Sequence, residues 1–88
     1  MEKLSEQTLV DMLAETAEQV TVGAEYRHYK NKTYRVLDLA ILEATNEVSV
    51  IYQAQYGEQL KFVRTASDWL ESVEWQGEQV PRFTIESE

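Results

Sequence analysis

From residue 48 to residue 56 every second position is apolar. Val48, Val50, Tyr52, Ala54 and Tyr56 would share one face of a strand, with Ser49, Gln53 and Gln55 on the other. A period of two marks a strand with one face on a core. The same theme repeats in short segments. Residues 26–29 predict a first strand, and Lys30, Asn31, Lys32 and Thr33 a polar turn in which Asn31 can take the left-handed conformation. Residues 34–43 predict a long second strand, apolar at even positions (Tyr34, Val36, Ala40, Leu42) and at odd ones (Leu37, Leu39, Ile41). A strand apolar on both faces is expected to be covered on both. Residues 44–47 turn the chain, and Gly57-Glu58 turns it again ahead of a strand over 60–64. Thr65-Ala66-Ser67-Asp68 has capping-box spacing and predicts a helical turn carrying Trp69 inward. Residues 72–75, a Gln76-Gly77 turn and residues 78–85 read as a closing hairpin, with Pro81 at an edge or bulge because it cannot donate to a ladder.

Ahead of the strands, residues 5–19 read as an amphipathic helix. Leu9, Met12, Leu13, Ala17 and Val20 recur at spacings of three and four, Ser5 is placed to cap, and Glu6 suits the first turn. Thr21-Val22-Gly23 should end it. The helix is the expected second cover for the long strand, and a dimer partner is the alternative. The chain is therefore expected to be one mainly β (α+β) domain. Its shape would be a small SH3-like partly open barrel or a strongly bent antiparallel sheet with an N-terminal amphipathic helix. Residues 1–22 would pack as the helix on the β-rich part, residues 23–88.

With 88 residues, burial on folding reaches only about 60–65% of the unfolded chain's surface, so stability should be modest. The absence of cysteine excludes disulfides, thiolate metal sites and a cysteine nucleophile. Glu2, Glu6 and Asp11 near the start speak against a secretory signal, and no apolar run approaches a membrane span, so the cytoplasm is the expected compartment. Sixteen acids against eight bases argue against general nucleic-acid binding and against anionic membranes. The imbalance is uneven. Residues 1–20 hold five acids and one base, whereas residues 26–35 hold Arg27, Lys30, Lys32, Arg35 and the single histidine, His28, with no acid.

That segment, with others, resembles the bacterial domain-of-unknown-function family numbered 1653. The resemblance rests on Gly23, the Tyr26-Arg27-His28-Tyr29-Lys30 stretch, Tyr34 with Val36, Ala40, Val50 with Tyr52, and Tyr56-Gly57. It continues through Val63-Arg64 and Gly77 to Pro81-Arg82-Phe83, about two thirds of the chain, and leaves the helix outside. Two stretches depart from the family pattern. Leu42-Glu43-Ala44-Thr45 stands where it often has His-Ser-Glu-Thr, and Thr65 where it often has proline. The resemblance implies a fold and no activity.

The candidate ligand-binding residues are Tyr26, Arg27, His28, Tyr29 and Lys30, joined by Arg64 and Arg82. Cations beside aromatic faces suit a phosphate, a carboxylate or a stacked ring. The alternative is that the tyrosines pack and the lysines are a solvated hairpin tip. Arg64 and Arg82 could converge with Arg27 on an anion, or pair with acids such as Glu71, Glu74 or Asp38 to hold strands together. His28 alone has an ordinary pKa near neutrality, so an enzymatic reading rests on it and leans towards no enzyme. The carboxylates lack metal-ligand spacing and the three glycines stand apart, so neither a metal nor a cofactor is expected. The leading expectation is a binding module for an anionic ligand, nucleotide or peptide group. The other is a protein-interaction or assembly module, including a homodimer, acting through the helix or a sheet edge.

Overall fold

Ser5 caps the helix as its position suggests: its Oγ accepts a hydrogen bond from the Thr8 N–H at 3.1 Å. The computed structural model describes residues 4–87, so residues 1–3 and 88 of the expected domain lie outside it. Helix α1 (Glu6–Ala17) buries none of its residues fully; Leu9, Met12, Leu13 and Thr16 form its half-buried stripe, and Ala17 is exposed. Met12 and Leu13 pack on the core, and α1 lies against β2 and β3. Fully buried Val20 follows, and Gly23 takes φ +90° to turn the chain into the sheet. No helix among the described residues is long and apolar enough to cross a membrane.

The strands are β1 (Glu25–His28), β2 (Thr33–Leu42), β3 (Glu47–Ala54), β4 (Lys61–Thr65), β5 (Ser72–Trp75), β6 (Glu78–Pro81) and β7 (Phe83–Ser87), with α2 (Ala66–Trp69) between β4 and β5. All pairings are antiparallel. Five strands form one sheet in the order β4-β3-β2-β1-β7, and β5 and β6 form a separate ribbon. The sheets are not closed into a barrel: of the two expected shapes, the open antiparallel one forms. Asn31 sits at φ 82°, the left-handed conformation expected of it at the β1–β2 turn.

Two details differ from expectation, each for a local reason. The alternation of β2 reverses at a bulge. Val36 pairs with Tyr52, but Asp38 pairs with Ile51, so one extra residue flips the phase. Val36 before the bulge and Leu39 and Ile41 after it all reach the same core. The apolar residues of β2 thus reach the core through a phase change, while on the other face half-buried Ala40 pairs with buried Ser49. Residues 78–85 likewise form two strands. Chain direction changes at Arg82, whose N–H donates to the Glu71 carbonyl and whose carbonyl accepts from the Tyr29 N–H. β6, carrying Pro81, stays with β5, and β7 joins β1.

The core centres on Trp69. Thr65 caps α2, its Oγ1 accepting from the Asp68 N–H at 3.3 Å, and the single turn delivers Trp69 to 2% exposure. Its ring stacks on Phe83, with centroids 3.6 Å apart and planes 7° from parallel. The edges of Tyr26 and Tyr52 close on it at 5.4 and 4.9 Å. One polar side chain is out of place: Ser49, 2% exposed on β3, has an Oγ with no partner among the described residues. An unpaired buried hydroxyl costs about 1–3 kcal/mol. Ser49→Ala is therefore expected to raise the melting temperature by about 4 °C or more. A lower melting temperature would show that the hydroxyl is satisfied.

Candidate functional site

β1 and its turn hold the basic aromatic segment in a fixed order. The His28 N–H donates to the Lys32 carbonyl at 2.8 Å and the Asn31 N–H to the His28 carbonyl at 2.7 Å. Strand alternation turns Tyr26 and His28 to the core side and Arg27 to the outer side, next to Thr84 of β7. Tyr26 is a core residue, 5% exposed, and its hydroxyl accepts from the Thr21 N–H at 2.9 Å, so it offers no surface to a ligand. Arg27 is exposed; its guanidinium pairs with Glu86 and reaches the Asn31 carbonyl and Oδ1 at 3.2 and 3.0 Å. Tyr29 meets Trp75 of β5 edge to face, centroids 5.2 Å apart. The Lys30 ammonium lies 5.8 Å from the Tyr29 ring centre.

Between this segment and the β5–β6 ribbon lies an open cleft of about 300 Å³. Arg27, His28, Tyr29 and Asn31 from β1 and its turn, Trp75, Val80 and Pro81 from the ribbon, and Thr84 from β7 line it. The structure thus brings together three of the seven expected residues, with Lys30 at the margin. Trp75 belongs to the site and was not among those expected. Its sequence signal is only an aromatic residue directly before the Gln76-Gly77 turn; the structure leaves its ring 39% exposed. The separation of residues 72–81 into their own ribbon, which brings Trp75 to Tyr29, has no local sequence signature.

Arg64 and Arg82 do not line this cleft. Arg64 pairs with Asp68, donates to the Tyr52 hydroxyl at 3.3 Å and lies 5.7 Å over the Phe83 ring. Arg82 pairs with Glu71 at 2.6 Å and donates from Nε to the Asp68 carbonyl at 3.0 Å. Their acids are Asp68 and Glu71, and neither Glu74 nor Asp38 takes part among the described residues.

His28 stands between the two regions. Its ring packs at 4.4 Å from Tyr29 and 5.1 Å from Phe83, and its Nδ1 accepts from the Lys30 N–H at 3.1 Å, which assigns the proton of the neutral ring to Nε2. Burial holds its pKa below 6.5, assisted by the positive charges of Arg64, Arg82 and Lys30. Among the described residues no carboxylate or hydroxyl hydrogen-bonds the ring, whose one hydrogen-bond partner is the Lys30 N–H. A histidine with a depressed folded pKa contributes stability that is complete above its unfolded pKa of about 6.5 and is lost as pH falls through that value towards the folded one. Stability should therefore fall between about pH 7 and pH 5 with a component that His28→Gln removes. Denaturation curves across that range check this; an unchanged slope in the variant would contradict it.

A second aromatic group flanks the core beyond His28. The Tyr34 and Tyr56 hydroxyls hydrogen-bond at 2.6 Å, and Lys32 Nζ lies 4.5 Å over the Tyr56 ring. Burial and the bond to Tyr56 push the Tyr34 pKa up to about 12, so this phenol stays neutral at ordinary pH and is no base. The described residues contain no group of three His, Cys, Asp or Glu side chains able to hold a metal ion.

The β-rich part of the chain is similar to known proteins. A family model described as "Protein of unknown function (DUF1653)" matches residues 24–85. A crystal structure of a protein belonging to DUF1653 from Bordetella bronchiseptica is 34% identical. It covers 74% of this chain and 86% of its own, with a TM-score of 0.65. No curated protein matches the chain. The match begins after α1, so the family region holds the sheet, the ribbon and the cleft.

Proposed function

The chain belongs to the DUF1653 family of proteins of unknown function, and from its own geometry we propose that it is a small binding module whose β1–ribbon cleft takes a ligand bearing a planar or apolar group and an anionic group. The observation that carries this reading is Arg27 standing beside the Tyr29–Trp75 wall in a cleft of about 300 Å³, on a chain of net charge −8. That volume is at the small end of ligand pockets. The ring of the ligand packs on Tyr29 and Trp75, and its phosphate or carboxylate takes the guanidinium in a bidentate pair.

Glu86 already occupies Arg27, and the energetics favour exchange. The two side chains are 44% and 34% exposed, and such solvent-facing pairs contribute at most about 1 kcal/mol. A ligand anion held in the cleft with additional ring contacts outcompetes a carboxylate worth so little. Glu86 then acts as a weak internal competitor, which Glu86→Gln removes.

A thermal-shift screen against nucleotides, phosphorylated metabolites and aromatic carboxylates tests the proposal. A ligand at about 100 times its Kd stabilises by about 2.7 kcal/mol, a rise of roughly 10 °C or more in a domain this size. Arg27→Ala should abolish a salt-sensitive shift, and Glu86→Gln should tighten binding by up to about fivefold. A ligand whose shift survives Arg27→Ala intact would refute the assignment of Arg27 as its anchor.

A further inference from the structure

At the far edge of the sheet from the cleft, β4 lies against β3 and has no strand on its other side among the described residues. We infer that this edge is a docking strand for an extended acidic segment of a partner protein, which adds to the sheet beside β4. Three observations carry it. First, the edge is continuous in its backbone pairing. Alternate residues of an edge strand turn their N–H and C=O groups outward, and proteins blunt such edges with proline, bulges or inward charges. β4 has neither proline nor bulge: its register with β3 runs unbroken from Lys61 to Thr65, and Arg64 is its inward charge, whereas β6 carries Pro81 and the β1–β7 pairing is irregular.

Second, the edge is apolar on both sides. Leu60 is 60% and Val63 65% exposed, and Phe62, 39% exposed, reaches back to the Tyr52 ring at 5.7 Å. An added strand would set side chains against Phe62 on one face and Val63 on the other, covering what β3 leaves open.

Third, the charge is local and opposite to that of the molecule. Residues 59–67 contain Lys61 and Arg64 and no acid, within a chain of net charge −8. Arg64 is paired with Asp68, but Lys61 makes no ion pair among the described residues. A strand with a carboxylate opposite Lys61 satisfies it, and a basic strand is repelled. A second copy of this chain fits less well. Pairing β4 with its own like sets a basic edge against a basic edge. A five-residue strand edge also offers only a small part of the roughly 800 Å² per partner that a stable dimer buries. An extended peptide needs no such area, because backbone hydrogen bonds supply the affinity and alternate side chains the specificity.

The test is a titration of the full, ¹⁵N-labelled chain with the acetylated, amidated heptapeptide Ser-Thr-Glu-Val-Val-Glu-Ser, and with a twin carrying lysine for both glutamates. The acidic peptide should move the amide resonances of residues 60–65, more at low than at moderate salt, and its twin should not. Lys61→Glu should weaken the acidic peptide by about fivefold and admit the basic twin. Arg27→Ala should leave peptide binding unchanged, which separates this site from the cleft. No shift at millimolar peptide, or shifts centred on Tyr29 and Trp75, would overturn the inference. So would changes at residues 60–65 that follow protein concentration without peptide, because the occupant would then be a second copy.

Discussion

Trp69→Ala is expected to remove about 3–5 kcal/mol of stability, the usual cost of emptying a buried aromatic site. A chain of 88 residues has only roughly 4–13 kcal/mol in total, so much of the population should be unfolded well below the wild-type transition. The reason is position more than size. Trp69 is 2% exposed, and its neighbours come from separate parts of the chain: Phe83 stacked on one face, Tyr26 and Tyr52 at its edges. These rings belong to β7, β1 and β3, so removing the indole loosens the junction of three strands at once. The neighbours are large and fixed by their strands, which limits collapse into the space. Urea denaturation measures the loss, with Trp75→Ala as a control expected to cost under about 1 kcal/mol because Trp75 is 39% exposed. Equal losses in the two variants would contradict this account of the core.

Arg82→Ala should cost about 2–3 kcal/mol, a large effect for a charged residue. Its side chain is only 17% exposed, and it ties the end of α2 to the point where β6 hands over to β7. Nε gives the Asp68 carbonyl a second donor beside the Glu71 N–H, while the other arm of the guanidinium meets Glu71 and Asp68. Alanine removes that second donor and leaves the Glu71 carboxylate without its cation. Lysine should recover less than half of the loss, because one ammonium cannot hold the carbonyl and Glu71 in the same planar geometry. Full rescue by Arg82→Lys would show that charge alone matters there.

How far the residues alone foretell this molecule can be seen from where they succeed. Short-range signals read cleanly: the Ser5 and Thr65 caps, the inward Trp69 and left-handed Asn31 each follow from chemistry within four residues. The alternation of β3 holds for Val48, Val50, Tyr52 and Ala54, all buried, but Ser49, expected to face outward, is buried too, and Tyr56 lies beyond the strand and is exposed. β2 misleads because a bulge and a doubly covered strand leave the same apolar pattern, and only the pairing register distinguishes them. The site was half visible. Arg27 and Tyr29 announce themselves as cation and ring on one stretch, but Tyr26 looks identical in sequence and is core. Whether Arg64 and Arg82 face a ligand or an acid depends on Asp68 and Glu71 lying where α2 puts them, a tertiary fact. The residues that carry the family resemblance mix the two kinds, since Tyr26, Phe83 and Arg82 build the frame and His28 and Tyr29 line the cleft.

The central claim is that the cleft beside Tyr29 and Trp75 is the ligand site, and the two indoles give it a built-in readout. Trp69 is sealed in the core and Trp75 lines the cleft, so their N–H resonances report on the two places separately. In a titration of the ¹⁵N-labelled protein with phenyl phosphate, the smallest probe joining a ring to an anion, the Trp75 indole and the Arg27 Nε–H should shift together. The Trp69 indole should stay still, and Arg27→Ala should abolish the response. Shifts that leave both Trp75 and Arg27 untouched, or that persist in Arg27→Ala, would contradict the claim.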